Sequence, residues 1–498
     1  MNVNPITRLD YPDPDVIRVE DTYYMVSTTM HFMPGCEILQ SFDLVHWEHV
    51  SYVYETLDHT DAQQLKSGQN IYGQGMWAAS LRYHEGRFWI CFVANDTRKT
   101  YLYTSEKIDG PWKKQLIEGF YHDGSLLFDE DGRNYIVYGN DEIWITELNE
   151  DLTAPKKDGL HRLLVSDHKN PELGYEGSHI QKINGYYYIF LVHSLRDRWM
   201  RTEACFYSDS LEGEFTGGDV LCDDRGYCGQ GVAQGGIVDT PDGKWYAMLF
   251  QDSGAVGRIP ILLPVTWKDH FPIFGQNGHV PEEIEVHSTR PGYIYQPLVG
   301  SDDFCNGLLP RWQFNHDPDP RYYHLDALQG TYTITTREVC TELTQAVNTL
   351  TQRMSYPSCA AEVTVDASAL KEGDVAGLCA LQGCYAAVGI TKHHGKYEVL
   401  MLDKKEDGIL DMTEGTVVES HQMDFRLEAD FCNMKDEARC YYRVNKGDWL
   451  PIGTVHKLYF KLDHFTGCRF GLFCYAAEET GGSACFRDFK YYNVDEIS

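Results

Sequence analysis

Basic residues are scarce in this chain: 43 Lys and Arg stand against 74 Asp and Glu, a net charge of −31 over 498 residues. A surface of that sign repels phosphate backbones and anionic headgroups, so neither a nucleic acid nor a membrane surface is expected as a partner. Long hydrophobic runs are missing too. The most apolar segment, Ile259 to Trp267, is far too short to span a bilayer and contains two prolines. The stretch Met1-Asn2-Val3-Asn4-Pro5-Ile6 shows no basic region followed by an apolar one and no small-residue cleavage site, so the expected location is cytoplasmic. Helical heptads are absent, which excludes a bundle or coiled coil. Cysteine is plentiful at 15, but the number is odd and no C-x-x-C pair occurs, which argues against a zinc or dithiol centre. Cys91, Cys205 and Cys474 lie in apolar strand patterns, where a free thiol behaves as a small hydrophobe.

What is present is aromatic and strand-forming. Aromatics make up 13% of the chain, with 33 Tyr and 10 Trp, and the length calls for two domains. One short unit recurs five times before residue 300: an extended apolar segment, a turn, then an aromatic-rich strand. Its turns are Asp21-Thr22-Tyr23-Tyr24, Gly86-Arg87-Phe88-Trp89, Gly132-Arg133-Asn134-Tyr135, Gly185-Tyr186-Tyr187-Tyr188 and Gly243-Lys244-Trp245-Tyr246. Repeats of roughly 40–60 residues built from short strands predict a β-propeller, here of five blades. Asp131-Gly132, Asn184-Gly185 and Asp242-Gly243 are strong hairpin signals that close blades. Near Leu298 the repeat stops, and segments such as Ala361–Val365 and Phe470–Phe473 alternate with polar loops, predicting a β-sandwich. The expected organisation is all-β: a propeller over residues 1–298 and a sandwich over 299–498.

Eight or nine residues before each turn stand Asp13, Trp77 or Ala78, Asp123, Glu176 and Gln234. Equivalent strands in a ring bring such positions together, and three of them are acids. Asp13 lies between Pro12 and Pro14, which fix the backbone and remove ladder donors. Glu176 opens a strand among aromatic neighbours, where desolvation and a nearby carboxylate such as Asp123 would raise its pKa and make it a proton donor. Taken singly, each acid reads equally well as a solvated turn residue; their common phase in the repeat makes the case for a cluster. One carboxylic acid and one carboxylate roughly 6.5–9.5 Å apart suit glycoside hydrolysis with inversion; about 5–5.5 Å suits retention. Arg258, beside an apolar run, is a candidate buried cation for substrate hydroxyls, with a structural ion pair as the alternative. Trp77 and Phe32 are candidates for stacking on a sugar, with core packing as theirs.

These stretches resemble glycoside hydrolase family 43. The likeness rests on Tyr11-Pro12-Asp13-Pro14-Asp15-Val16-Ile17-Arg18, Ser27-Thr28 to Phe32-Met33-Pro34-Gly35, Ser41-Phe42-Asp43-Leu44-Val45-His46-Trp47, Met76-Trp77-Ala78, His122-Asp123-Gly124-Ser125-Leu126, Tyr175-Glu176-Gly177-Ser178 and Gly257-Arg258. The resemblance implies Asp13 as general base, Glu176 as general acid and Asp123 as the residue that orients the acid and tunes its pKa. It also implies substrate contacts from Arg258, Trp77, Phe32 and Gln234. The second region is similar to the concanavalin-like sandwich of the family's β-xylosidases, which narrows the cleft to a pocket and implies exo release of xylose or arabinofuranose from xylo- or arabino-oligosaccharides. An endo-arabinanase and a non-catalytic carbohydrate-binding propeller are the competing readings. Two departures stand out: Gln234 replaces the His that often accompanies calcium in the family, and Ala79 replaces a proline after Trp77-Ala78. No cofactor is expected; a structural calcium is compatible with Gln234 but not predicted.

Overall fold

The computed structural model describes residues 2–493. Residue 1 and residues 494–498, the outer ends of the two expected domains, lie outside the described residues. The chain is all-β, with three short 3-10 turns as its helical elements among the described residues. Five four-stranded antiparallel sheets follow one another, opening with Asp15–Val19, Met76–His84, Ser125–Phe128, Glu176–Ile183 and Ala233–Asp239. These five first strands contact one another around the ring and so line its axis. Asn2–Val3 pairs with Glu283–Ile284, joining the two ends of the propeller segment. The local signals act as their chemistry requires: Asn184 and Gly185 hold φ of 52° and 84°, the two positive values of a tight hairpin turn. Aromatic and β-branched residues of the second strands, such as Tyr135, Val137, Ile189 and Phe190, fill the space between blades.

Residues beyond 300 supply eight strands of a nine-stranded sheet and all of a facing seven-stranded one, around a core that includes Val388, Ile390, Phe425, Leu427, Phe470 and Leu472. One strand departs from the division by chain order. Phe32–Met33, within the first blade's segment, pairs with Gln313–Asn315 and extends the nine-stranded sheet. The two domains therefore share a sheet.

Charged groups lock this junction. Arg353 of the sandwich pairs with Glu37 of the first blade at 2.7 Å, both at most 4% exposed, and its Nε donates to the Asp10 carbonyl. Burial opposes the Glu37 charge, but Arg353 and His49 outweigh it and bring the carboxyl to about 2, from 4.5. A depressed carboxyl contributes stability present above about pH 4.5 and lost as pH falls through about 2. Removing one partner strands a buried charge, so Arg353→Met is expected to lower the unfolding free energy by about 3–5 kcal/mol. Urea denaturation at pH 7 measures this; a loss below about 1 kcal/mol would show that the pair does not hold the junction.

Candidate active site

At the head of each inner strand the backbone turns through the left-handed region. Asp13, Ala78, Asp123, Gly177 and Gln234 have φ of 52°, 34°, 48°, 66° and 65°. Non-glycine residues in this region cost about 1–2 kcal/mol each, a strain that native structures keep mainly where geometry matters for function. The repeat kink aims the side chains: Asp13, Asp123 and Gln234 sit at the kink, whereas Trp77 and Glu176 stand one residue before it. At Gly177 a side chain has no room, since a Cβ would lie 2.7 Å from Gln234 Cγ. Its N–H instead donates to Asp123 Oδ2 at 2.9 Å.

Asp13, Trp77, Asp123, Glu176, Gln234 and Arg258 border one pocket of about 190 Å³. Asp13 is held from both sides: Oδ1 accepts from Arg258 Nη1 at 2.7 Å and from Gln234 Nε2 at 3.1 Å, and Oδ2 from the Thr28 hydroxyl at 2.5 Å. Glu176 Oε2 accepts from Asn140 Nδ2 at 2.9 Å and lies 3.5 Å from His122 Nε2. The Glu176 side chain is 20% exposed, enough to meet a ligand. Phe32 is a correction. It is buried in the strand shared with the sandwich, its ring 3.4 Å beneath the Arg469 guanidinium, and it does not border the pocket. The pairing with Gln313–Asn315 draws it away.

The sandwich supplies a wall that no motif announced. Leu462 and Phe465 line the pocket; the Phe465 ring is 3.8 Å from the Arg258 guanidinium and 5.1 Å from Trp77. Asp10 fixes this loop to the propeller, accepting from Gly467 N and Arg258 N, each at 2.8 Å. A larger cavity of about 370 Å³ opens at the other end of the inner strands, but Arg18, Arg82 and Lys182 there are each paired with an aspartate. The three acids at the head of the inner strands all border the smaller pocket, which is the candidate site.

Electrostatics in the pocket differ from expectation at one residue. Burial raises Asp123 to about 6, opposed by His122 and reinforced by Glu176 and Asp13. Burial also works against charge on Glu176, yet the hydrogen bond and charge of His122, with Arg201 and Arg258, hold its carboxyl below the usual range. The raised carboxyl of the free pocket is thus Asp123, not Glu176. His122 itself loses from burial but is lifted to about 9 by Asp123, Glu176 and Asp13. Its contribution to stability is present below about 6.5 and lost as pH rises through about 9. The melting-temperature deficit of His122→Asn is therefore expected to be largest near pH 6 and to vanish above pH 9; a deficit independent of pH would rule out a charged His122.

His122, Asp123 and Glu176 place donor atoms within 4.8 Å of one another, a spacing that suits a metal ion. The same three groups also face one another directly, His122 Nε2 lying 3.6 Å from Asp123 Oδ2 and 3.5 Å from Glu176 Oε2. Near the axis the Gln234 amide nitrogen donates to Asp13, and Asp15 is paired with Arg82 at 2.8 Å and His179 at 3.1 Å.

Sequence comparison agrees with the geometry. Residues 3–272 match the model of glycosyl hydrolases family 43, and residues 301–492 that of the β-xylosidase C-terminal concanavalin A-like domain. The chain belongs to glycosyl hydrolases family 43. It is 27% identical to a β-xylosidase of Formosa agariphila over 99% of this chain and 90% of that one. It is 25% identical to a non-reducing end α-L-arabinofuranosidase of Bacteroides ovatus over 66% of this chain and 63% of that one. Among solved structures, a bifunctional GH43-CE protein of Bacteroides eggerthii superposes with a TM-score of 0.92 at 42% identity, covering 98% of this chain. The chain spans 63% of that bifunctional protein's length. As a family 43 member the protein is a glycoside hydrolase with the expected propeller and sandwich.

Proposed function

We propose that the protein is an inverting, exo-acting hydrolase that removes single terminal pentoses, β-D-xylose or α-L-arabinofuranose, from hemicellulose-derived oligosaccharides. The observation that carries this reading is the small pocket: three carboxylates at the head of the propeller, walled on one side by Leu462 and Phe465 of the sandwich. Its 190 Å³ is below the roughly 300–1,000 Å³ of clefts for drug-sized ligands, which suits one sugar ring and not an internal stretch of polysaccharide. The names of the relatives support both pentoses.

In this reading Asp13, immobilised by Arg258, Gln234 and Thr28, takes a proton from water as that water attacks the anomeric carbon. Glu176 gives its proton to the departing glycosidic oxygen. A neutral sugar entering the pocket covers the exposed part of Glu176, and the added desolvation favours its protonated form. Asp123, fixed by Gly177 N–H, and His122 set the charge around that acid. Trp77 and Phe465 provide apolar surface for the ring, and Gln234 and Arg258 bind substrate while holding Asp13. No metal or cofactor enters these steps.

Reaction with reducing-end-labelled xylo- and arabino-oligosaccharides tests this reading. Stepwise loss of single sugars from the unlabelled end is expected. Mid-chain cuts would favour the endo-arabinanase reading, and binding without any product the lectin-like one.

A further inference from the structure

A second arginine faces the same pocket. Arg201 begins the strand Arg201–Ser208 of the fourth blade, and its side chain is 3% exposed. It lines the pocket together with Trp199, Glu176 and Arg258. The guanidinium lies over two aromatic rings, 5.2 Å from the Trp199 centroid and 5.3 Å from that of Phe250. Nη1 donates to Asp252 Oδ2, and this is its one hydrogen bond among the described residues. The other oxygen of Asp252 accepts from Arg258 Nε at 3.2 Å, so one carboxylate spaces the two arginines.

Arg201 Nε is buried with no acceptor among the described residues. Buried donors in native proteins are nearly always paired, and an orphan on a charged group forfeits more than one on a neutral group. An orphan at a pocket wall is explained if its acceptor arrives with the ligand. The pocket's cations are already set against Asp13, Asp123, Glu176 and Asp252, which favours a neutral acceptor over an anion. Sugar hydroxyl oxygens meet that description.

We infer that Arg201 is a substrate-binding residue whose free guanidinium edge donates to hydroxyl oxygens of the terminal pentose, so that two arginines grip the sugar. This rests on the pentose-releasing function proposed above and adds the residue that reads the ring's hydroxyls. Two neighbouring aromatic rings favour a planar guanidinium there, which a lysine ammonium cannot reproduce.

The test is calorimetric titration of free D-xylose and L-arabinose into wild type, Arg201→Met and Arg201→Lys, with kcat and KM for aryl pentosides measured alongside. Wild type is expected to bind one pentose, with affinity at least tenfold weaker in both variants and a raised KM. Should Arg201→Met fail to fold, Arg201→Lys, which keeps the charge beside Asp252, decides the matter. Wild-type affinity and KM in a folded variant would overturn the inference alone. A wild type that binds neither pentose would overturn the pentose reading and this inference with it.

Discussion

Asp13→Ala is expected to lower kcat by about 10²–10⁴-fold on every pentoside, whatever its leaving group. Water must lose a proton as it attacks, and Asp13 is the pocket carboxylate held in place by an arginine, an amide and a hydroxyl at once. Those three donors lose their acceptor in the alanine variant, so some stability is lost as well. Asp13→Asn separates the two effects, because an amide oxygen still accepts from Arg258 while no base remains. Its melting temperature is expected to stay near that of wild type while its kcat falls as far as that of the alanine variant. A kcat within about fivefold of wild type in Asp13→Asn would remove Asp13 from the base role.

Glu176→Ala is expected to show a different dependence. On oligosaccharides, whose leaving group is a poorly acidic sugar hydroxyl, kcat should fall by about 10²–10⁴-fold. On aryl glycosides with acidic phenols, which depart without protonation, most of that loss should disappear. The alkaline limb of the kcat profile, which reports the acid in the substrate complex, should vanish with the side chain. Steady-state kinetics over a series of phenols measures both. Equal losses across the series would assign Glu176 to binding, leaving His122 or Asp123 as the proton source.

The propeller was legible because its signals are local. Tight turns recur at the closing hairpins, and Asp13, Asp123 and Gln234, eight or nine residues before them, fall at one kink. Glu176 and Trp77, one residue before that kink, reach the same pocket from a slightly different direction. Phe32 failed for a non-local reason: its strand pairs with residues some 280 positions away, and no short-range pattern encodes that exchange. Phe465 was invisible on the same ground, since its loop meets the propeller through residues far away in sequence, such as Asp10, Ala255 and His31. His122 stood next to Asp123 in a quoted motif, but its reach to Glu176 depends on a neighbouring blade. That reach reverses the expected direction of the Glu176 shift. Arg201 carried the same hint as Arg258, a cation at the edge of an apolar strand, and needed the Asp252 bridge to be recognised.

Asp13 as base and Glu176 as acid, acting on opposite faces of one sugar, is the central claim, and stereochemistry tests it most directly. Proton NMR of the sugar first released by wild type from an aryl β-D-xyloside or α-L-arabinofuranoside, recorded before mutarotation, is the measurement. Release of the opposite anomer is expected. Release of the same anomer would require a covalent intermediate on one of these carboxylates and would contradict the assignment.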